Sequence, residues 1–333
     1  MKIGIVGNGS IVKTALGCLQ EAKIQTAALW CRNGEKGKPL CEQYHLKQYT
    51  DYDKFLQDDS FDTVYIGLVN SLHYAYALQA VQAHKHVIVE KPFVSRYGEA
   101  LRLIDEAEQN QVMLFEAILS RYSRTYQALI PHLDEIGDLK IIHGNFSQYS
   151  RRYDAYQEGK VLPAFDPELS GGALYDINVY NIHFAAGIFG MPSHVQYIAN
   201  KGFNGIDTSG VLTMDYKGFQ SVCIGAKDCA SPCGTVLQGT KGYIELPGRP
   251  SIIDHASLHL NDSQEPISLD VPEEGSAMAN EFLRIQEVIA QQDWNTEAAW
   301  LIRTKQVMNI LDQARVSAGI RFAADEEPEF TIE

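Results

Sequence analysis

The length, charge and cysteine content of the chain exclude several classes of protein. Its 333 residues are too many for one typical hydrophobic core and suit two domains. The formal net charge of −14 argues against nucleic acid or an anionic membrane as a partner, and no apolar run approaches the ~18–20 residues of a membrane span. The six scattered cysteines complete no zinc site and indicate free thiols. We therefore expect a cytoplasmic protein without a signal peptide, a membrane segment or a metal.

The chain begins with the pattern of a dinucleotide-binding unit. An apolar strand at Lys2–Val6 is followed by a glycine turn and then by apolar residues at helical spacing. Gly7 permits a tight turn, Gly9 lets the backbone approach a pyrophosphate, and the helix N-terminus supplies N–H groups for phosphates. Val12 stands where a third glycine is usual. The predicted cofactor contacts from this turn are Gly7, Asn8, Gly9, Ser10 and Ile11.

The end of the second strand indicates which cofactor is bound. The strand at Thr26–Trp30 is followed by Cys31-Arg32-Asn33-Gly34, and no acid occurs before Glu35. A site for NAD usually has an acid here to hold the ribose 2′-hydroxyl. Arg32 instead suits a 2′-phosphate, although a solvated surface arginine would look the same. The sequence favours NADP over NAD.

Strands and helices alternate through residues 1–119, which predicts a doubly wound parallel sheet, the Rossmann fold. Within it, the β-branched run Val87–Val89 ends in Glu90-Lys91-Pro92. Ligands bind beyond the carboxyl ends of such strands. Lys91 could therefore donate a hydrogen bond or a positive charge to a reacting oxygen. A surface lysine in a salt bridge is the alternative interpretation.

The second half of the chain has a different pattern. Extended, partly alternating runs dominate, and helices are few. This predicts an α+β domain with a mostly antiparallel open sheet and helices on one face. We expect two domains, residues 1–119 for dinucleotide binding and residues 120–333 for substrate binding and oligomerisation. The uncovered face of the sheet needs a partner, which predicts a homodimer or a dimer of dimers.

Candidate substrate-binding residues lie in this second half. Asp176, Tyr180 and His183 are spaced i, i+4 and i+7, so they share one face of a helix. Apolar neighbours argue against a simple solvated stripe. Before this helix, a long connection contains Tyr153, whose apolar ring and polar tip suit a polyhydroxylated or ring substrate. A tyrosine-rich structural flap remains the alternative.

Several motifs occur in an order that resembles a known family. They are Gly-x-Gly near the start, Asn70-Ser71-Leu72-His73, Glu90-Lys91-Pro92, Glu116-Ala117 and Ser170–Tyr180. Their order and spacing over nearly the whole chain resemble the glucose-fructose oxidoreductase/inositol dehydrogenase/MocA family. The resemblance implies a nicotinamide-dependent oxidoreductase that transfers a hydride to or from a sugar, polyol or related alcohol. It also implies association of subunits through their sheets.

The resemblance assigns roles to individual residues. Tyr180 corresponds to the general acid/base, and Asp176 to a supporting, substrate-binding carboxylate. Lys91 assists both, because a nearby ammonium would bring the pKa of a tyrosine, normally about 10, closer to working pH. The resemblance also implies Asn70, His73, Glu90 and Lys91 as contacts for the cofactor and Arg121 and His183 as contacts for the substrate. His183 could instead be a core histidine.

Two other functions remain open from the sequence. One is a nucleotide-binding sensor without turnover, and the other is an enzyme that recycles tightly held NAD in a non-redox reaction such as glycoside cleavage. The presence of Lys91 and Tyr180 argues against the sensor. Arg32 argues against recycled NAD, which usually needs an acid at the ribose.

Overall fold

The computed structural model describes residues 1–326, which divide into two compact units. The first unit contains Met1–Ala117 and Glu274–Lys305. The second contains Ile118–Glu273 and the described residues from Gln306 onward. None of the helices in this described range is long and apolar enough to cross a membrane.

The first unit is built on a parallel sheet. Its strands are β1 (Lys2–Val6), β2 (Gln25–Trp30), β3 (Lys47–Tyr49), β4 (Thr63–Ile66), β5 (His86–Glu90) and β6 (Leu114–Ala117). Its helices up to residue 117 are α1 (Ser10–Glu21), α2 (Gly34–Tyr44), α3 (Tyr52–Leu56), α4 (His73–Gln82) and α5 (Tyr97–Gln109). The strand order is β3-β2-β1-β4-β5-β6, and all neighbours run parallel. The strand order reverses between β1 and β4, and doubly wound sheets bind their ligands at this point.

The second unit is built on an eight-stranded sheet. Its strands are β7 (Leu139–Ser147), β8 (His194–Lys201), β9 (Asp207–Tyr216), β10 (Phe219–Ala226), β11 (Gly234–Gly239), β12 (Gly242–Pro247), β13 (Ser257–Leu260) and β14 (Ile267–Ser268). The helices that follow residue 117 are α6 (Arg124–Leu129), α7 (Tyr153–Gln157), α8 (Val179–Phe189), α9 (Ala277–Gln291) and α10 (Trp294–Ser317). The order is β14-β13-β12-β11-β7-β10-β9-β8. Of these neighbours in the described chain, β7 and β10 run parallel and the rest antiparallel.

The two faces of this second sheet differ in burial. Ile142 and Phe146 of β7 are buried, whereas Ile141, which points to the other face, is 41 % exposed. This alternation continues on β9, where Leu212 is buried and Val211 is exposed. One face therefore carries the core and the other carries exposed apolar side chains. The predicted fold class, a Rossmann sheet followed by an open, mostly antiparallel sheet, is confirmed.

The predicted division at residues 119 and 120 differs from the structure near the C-terminus. Residues 274–305 were assigned to the second domain, but they pack in the first unit. Phe282 of α9 contacts Tyr65, with ring centroids 5.6 Å apart. On α10, Glu297 accepts a hydrogen bond from the Leu114 N–H, and Thr304 donates one to Glu116. Periodicity predicted these helices, but it carries no information about which sheet they cover.

Candidate functional site

The glycine turn after β1 has the geometry of an anion-binding site. Gly7 has φ +115°, and a Cβ there would lie 2.5 Å from the Gly67 carbonyl oxygen, so only glycine fits. Its N–H donates to the Trp30 carbonyl at 2.8 Å. A Cβ on the exposed Gly9 would meet nothing within 4 Å, so the space beside the turn is open. The helix α1 then begins at Ser10 with no acid in its first turn. This cradle fits a pyrophosphate.

The room that a third glycine usually provides comes from elsewhere in the fold. Val12 is fully buried under the sheet. A Cβ on Gly67, the residue after β4, would lie 2.7 Å from Val12 Cγ2. Helix and sheet therefore approach closely because Gly67 has no side chain. Sequence analysis missed this residue, although a glycine directly after an apolar strand was a visible signal.

Arg32 lies at the same edge of the sheet as this turn. It is exposed and follows β2 by two residues, and the last residue of β2, Trp30, binds the backbone of Gly7. Asn33 caps α2 by accepting from the Lys36 N–H. Arg32 therefore follows β2, the strand next to β1, and lies at the edge of the sheet where the glycine turn begins.

The segments after β4 and β5 are joined by His73. Its side chain is fully buried, with Nδ1 2.9 Å from the Pro92 carbonyl oxygen and Nε2 3.3 Å from that of Leu68. Burial lowers the pKa of His73, which favours a neutral ring. A neutral ring has one N–H, so it donates a hydrogen bond to one of the two carbonyl oxygens and lies against the other. The ring is thus packed between the segments that carry Asn70 and the half-buried Lys91.

Glu90 is the last residue of strand β5. It is 6 % exposed and accepts a hydrogen bond of 2.7 Å from the Tyr65 hydroxyl. Burial raises the pKa of its carboxyl group. These contacts fix the end of β5, which is the residue before Lys91.

In the second unit, two glycines and a buried acid fix the start of the candidate catalytic helix. A π-helical turn at Leu174–Asn178 leads directly into α8, and such turns are frequent at functional sites. Gly172 has φ +101°, and a Cβ there would lie 2.1 Å from Asp207 Oδ1. Asp207 accepts from the Leu174 N–H at 2.6 Å and from the Tyr197 hydroxyl at 2.8 Å. Gly172 therefore makes room for this carboxylate, and Gly171 makes room for the Pro163 carbonyl oxygen, which would lie 2.6 Å from a Cβ.

Two asparagines then hold the helix against the sheet. Asn178 donates to the Cys223 carbonyl at 3.2 Å, and Asn181 donates to that of Ile224 at 3.0 Å. A Cβ on Gly225 would lie 2.7 Å from Asn178 Cβ, so the approach depends on glycine. Sequence analysis missed these residues because their partners are distant in the chain.

The three polar side chains predicted on this helix lie in different surroundings. Tyr180 and His183 are 8 % and 6 % exposed, so the helix face is not a solvated stripe. The Tyr180 ring lies 5.9 Å from that of Phe146. The Asp176 side chain is 33 % exposed and forms an ion pair with Lys227. Sequence analysis missed Lys227, although it directly follows the apolar strand β10, as Lys91 follows β5.

The remaining predicted substrate residues, Tyr153 and Arg121, have well-defined positions in the second unit. Half-buried Tyr153 begins α7, and its ring lies 5.7 Å from both Tyr149 and Phe165. Arg121 is 7 % exposed on a short 3-10 helix after Ile118. Across residues 1–326, no group of three or more His, Cys, Asp or Glu side chains is placed to hold a metal ion.

Comparison with known proteins identifies the two parts of the chain. Residues 1–118 match the "Oxidoreductase family, NAD-binding Rossmann fold", and residues 132–245 match the "GFO/IDH/MocA C-terminal domain". A scyllo-inositol 2-dehydrogenase (NADP(+)) from Bacillus subtilis is 30% identical over 330 residues, covering 98% of this chain and 99% of the relative. A trans-1,2-dihydrobenzene-1,2-diol dehydrogenase from Xenopus tropicalis is 26% identical, covering 96% and 97%.

A solved structure has the same fold. It is a 3-ketoreductase from Actinomadura kijaniata in complex with NADP and TDP-benzene, with a TM-score of 0.80 and 20% identity. The match covers 95% of this chain and 97% of the other. The chain therefore belongs to the glucose-fructose oxidoreductase/inositol dehydrogenase/MocA family of oxidoreductases.

Proposed function

We propose that this protein is an NADP-dependent dehydrogenase or reductase that acts on a ring-shaped substrate with two neighbouring hydroxyl groups. The observation that carries the proposal is the clustering of Gly7, Asn70 and Lys91 at the carboxyl ends of adjacent strands β1, β4 and β5. This is the place where doubly wound sheets hold a nucleotide. The names of two full-length relatives, an inositol dehydrogenase and a dihydrodiol dehydrogenase, support the substrate class.

The first unit would hold the cofactor through its backbone and one charge. The Gly7–Ile11 turn and the N-terminus of α1 would bind the pyrophosphate, and Arg32 would bind the 2′-phosphate. His73 and Glu90 are buried, so we propose that they position Lys91 and its neighbours and do not contact the cofactor. When bound, the nicotinamide supplies or accepts a hydride.

The second unit would bind the substrate and move the proton. When an alcohol is oxidised, its carbon loses a hydride and its oxygen loses a proton. Tyr180 takes that proton, and the Lys91 ammonium stabilises the negative charge that develops on the oxygen. Asp176 accepts a hydrogen bond from the neighbouring hydroxyl group, while Arg121, Tyr153 and His183 line the substrate side. In the reducing direction Tyr180 returns the proton.

A spectroscopic screen tests this function. Purified protein is mixed with NADP+ and scyllo-inositol or trans-cyclohexane-1,2-diol, with cyclohexanol as the matched substrate that lacks the second hydroxyl. We expect net formation of reduced nicotinamide with a diol, and Asp176→Asn should raise KM for that diol more than for cyclohexanol. Product without net reduction would favour internal NAD recycling. Cofactor binding with no product from any alcohol or carbonyl would favour a sensor.

We also propose that the open face of the second sheet binds a second copy of the chain. Ile198, Val211 and Ile224 are cross-strand neighbours on β8, β9 and β10, and Ile198 is 70 % exposed. The same face carries Ile141 and Tyr243, which are 41 % and 38 % exposed. Eight strands at ~4.8 Å spacing and ~20 Å length present roughly 700 Å². That is close to the ~800 Å² that each partner of a stable complex buries.

Light scattering tests the assembly. We expect twice or four times the mass of one chain at micromolar concentration, and Val211→Glu should reduce it to that of a monomer. A monomeric wild type would contradict the homodimer. The buried free thiols Cys18, Cys31, Cys41 and Cys223 support our proposal of a reducing, cytoplasmic location.

A further inference from the structure

Lys227 is an unusual lysine because its charged group is buried beside the candidate catalytic helix. Its side chain is only 3 % exposed. The ammonium group pairs with the Asp176 carboxylate and donates to the Ala164 carbonyl at 3.1 Å. It also lies 4.7 Å from the centre of the Phe165 ring. Three groups, from residues 164, 165 and 176, thus meet at one ammonium that is more than 50 residues away in the chain.

Burying an ammonium is costly unless its charge and its donors are matched. Here the carboxylate matches the charge, the carbonyl accepts a hydrogen bond, and the ring face offers a cation–π contact. The ammonium is therefore held in one place. Asp176, by contrast, keeps a third of its side chain exposed while it is paired. The pair is anchored on the lysine side and open on the carboxylate side.

A second carboxylate, that of Asp207, is influenced by the charge of the same lysine. Asp207 is fully buried, and burial raises the pKa of its carboxyl group, while the charge of Lys227 acts in the opposite direction. Asp207 in turn holds the Leu174 N–H at the start of the π-helical turn. Lys227 therefore pairs with Asp176 and also acts electrostatically on Asp207, the acid that fixes the start of the helix.

We infer that Lys227 is a positioning residue, which keeps the Asp176 carboxylate ionised and oriented as the acceptor for the second hydroxyl group of the substrate. The inference rests on the proposed function, because it assigns Asp176 to substrate binding. A protonated Asp176 would gain a donor and lose part of its capacity to accept, and would therefore bind a hydroxyl group in a different way. The contacts of Lys227 with Ala164 and Phe165 also link this carboxylate to the connection that precedes the helix.

Removal of the charge should alter substrate binding more than cofactor binding. In Lys227→Met we expect KM for the diol to rise about 10- to 100-fold, the range for loss of a hydrogen bond to a charged group. The acidic limb of the kcat/KM profile should move up by about 1 to 3 pH units, because an opposite charge has been removed from beside a carboxylate. The other titratable groups around the pair are Asp207 on β9, Tyr180 on the next helical turn and Asp228, which accepts from Thr208.

The experiment compares Lys227→Met with Lys227→Arg and with Lys217→Met, a control that removes an exposed lysine from the turn between β9 and β10. NADPH affinity, thermal unfolding and the pH profile are measured for each. Lys227→Arg keeps the charge and should retain a KM and a pH profile closer to the wild type. If Lys227→Met does not fold, Lys227→Arg decides: an acidic limb at its wild-type position supports the inference, and an acidic limb that moves up by about 1 to 3 pH units although the charge is kept overturns it.

A folded Lys227→Met with wild-type KM and pH profile would overturn the inference, even if its thermal stability had fallen. A change in NADPH affinity of the same size as the change in KM would also overturn it. Absence of turnover by the wild type is a different result, because it would remove the proposed function and the positioning role together.

Discussion

The two units present their candidate functional groups in different ways. In the first unit, the groups near Gly7 come from one short stretch of chain, and the backbone of that stretch forms the binding surface. In the second unit, Asp176 depends on Lys227, Asp207 and Gly225, which join it only in the folded state. A site made of local backbone can be recognised from a motif. A site made of long-range side-chain contacts has to be found in the structure.

This difference predicts that variants in the second unit lower the catalytic rate and leave the affinity for the cofactor unchanged. The largest effect should come from Tyr180→Phe, which deletes only a hydroxyl. General acid/base catalysis contributes about 10²- to 10⁴-fold, so kcat should fall by that order while the Kd for NADPH stays the same. Stopped-flow kinetics and fluorescence titration measure the two quantities. Tyr44→Phe is the matched control, and wild-type kcat in Tyr180→Phe would make His183 the next candidate.

Two glycine variants compare the units directly. Gly7→Ala places a Cβ 2.5 Å from a carbonyl oxygen, and Gly225→Ala places one 2.7 Å from Asn178 Cβ. Each clash or strained backbone costs about 1–3 kcal/mol. We expect Gly7→Ala to weaken NADPH binding about 10- to 100-fold. Gly225→Ala should lower kcat/KM by a similar factor and leave NADPH affinity unchanged. If both variants changed NADPH affinity and kcat/KM by equal factors, the proposed separation of cofactor binding in the first unit from catalysis in the second would be wrong.

Arg32→Ala tests whether Arg32 gives the first unit its preference for NADPH over NADH. Loss of an exposed charge-assisted contact should weaken NADPH binding by about 10-fold and leave NADH binding unchanged. Isothermal titration of each cofactor into the apo protein measures this. Arg249→Ala removes an exposed arginine from the second unit and serves as the control. Equal affinity for NADH and NADPH in the wild type would contradict the NADP assignment.

The last prediction concerns stability, and it lies in the segment that the structure places in the first unit. Burial raises the pKa of Glu297 from 4.5 to about 7. The folded state then holds a proton that the unfolded state has released, so this contribution is present below pH 4.5 and is lost as pH rises through 7. The loss is at most about 3 kcal/mol. Glu297→Gln should flatten the dependence of Tm on pH between 5 and 8, and an unchanged slope would contradict the assignment.

The sequence predicted the parts of the molecule that depend on local patterns. The strand, turn and helix at Lys2–Glu21 follow from hydrophobic spacing and two glycines. The second sheet was predicted from extended runs in which apolar and polar residues partly alternate, and the structure shows the matching alternation of buried and exposed side chains. The role of Gly67 in place of a third glycine could not be predicted, because its contact with Val12 joins the end of β4 to helix α1, more than 50 residues earlier in the chain. Lys227 was missed for the same reason. Its role depends on its ion pair with Asp176, which is 51 positions away in the chain.

The most direct test of the central claim is a double-mutant cycle with Lys91→Met and Tyr180→Phe on a diol that the screen identifies. We propose that both residues act on one substrate oxygen, so their effects on kcat should be clearly less than additive. Each single variant should lose about 10²- to 10⁴-fold in kcat, with the double variant close to the worse of the two. Fully additive losses, or an unchanged kcat in either single variant, would contradict the proposal that Lys91 and Tyr180 form one proton-transfer unit.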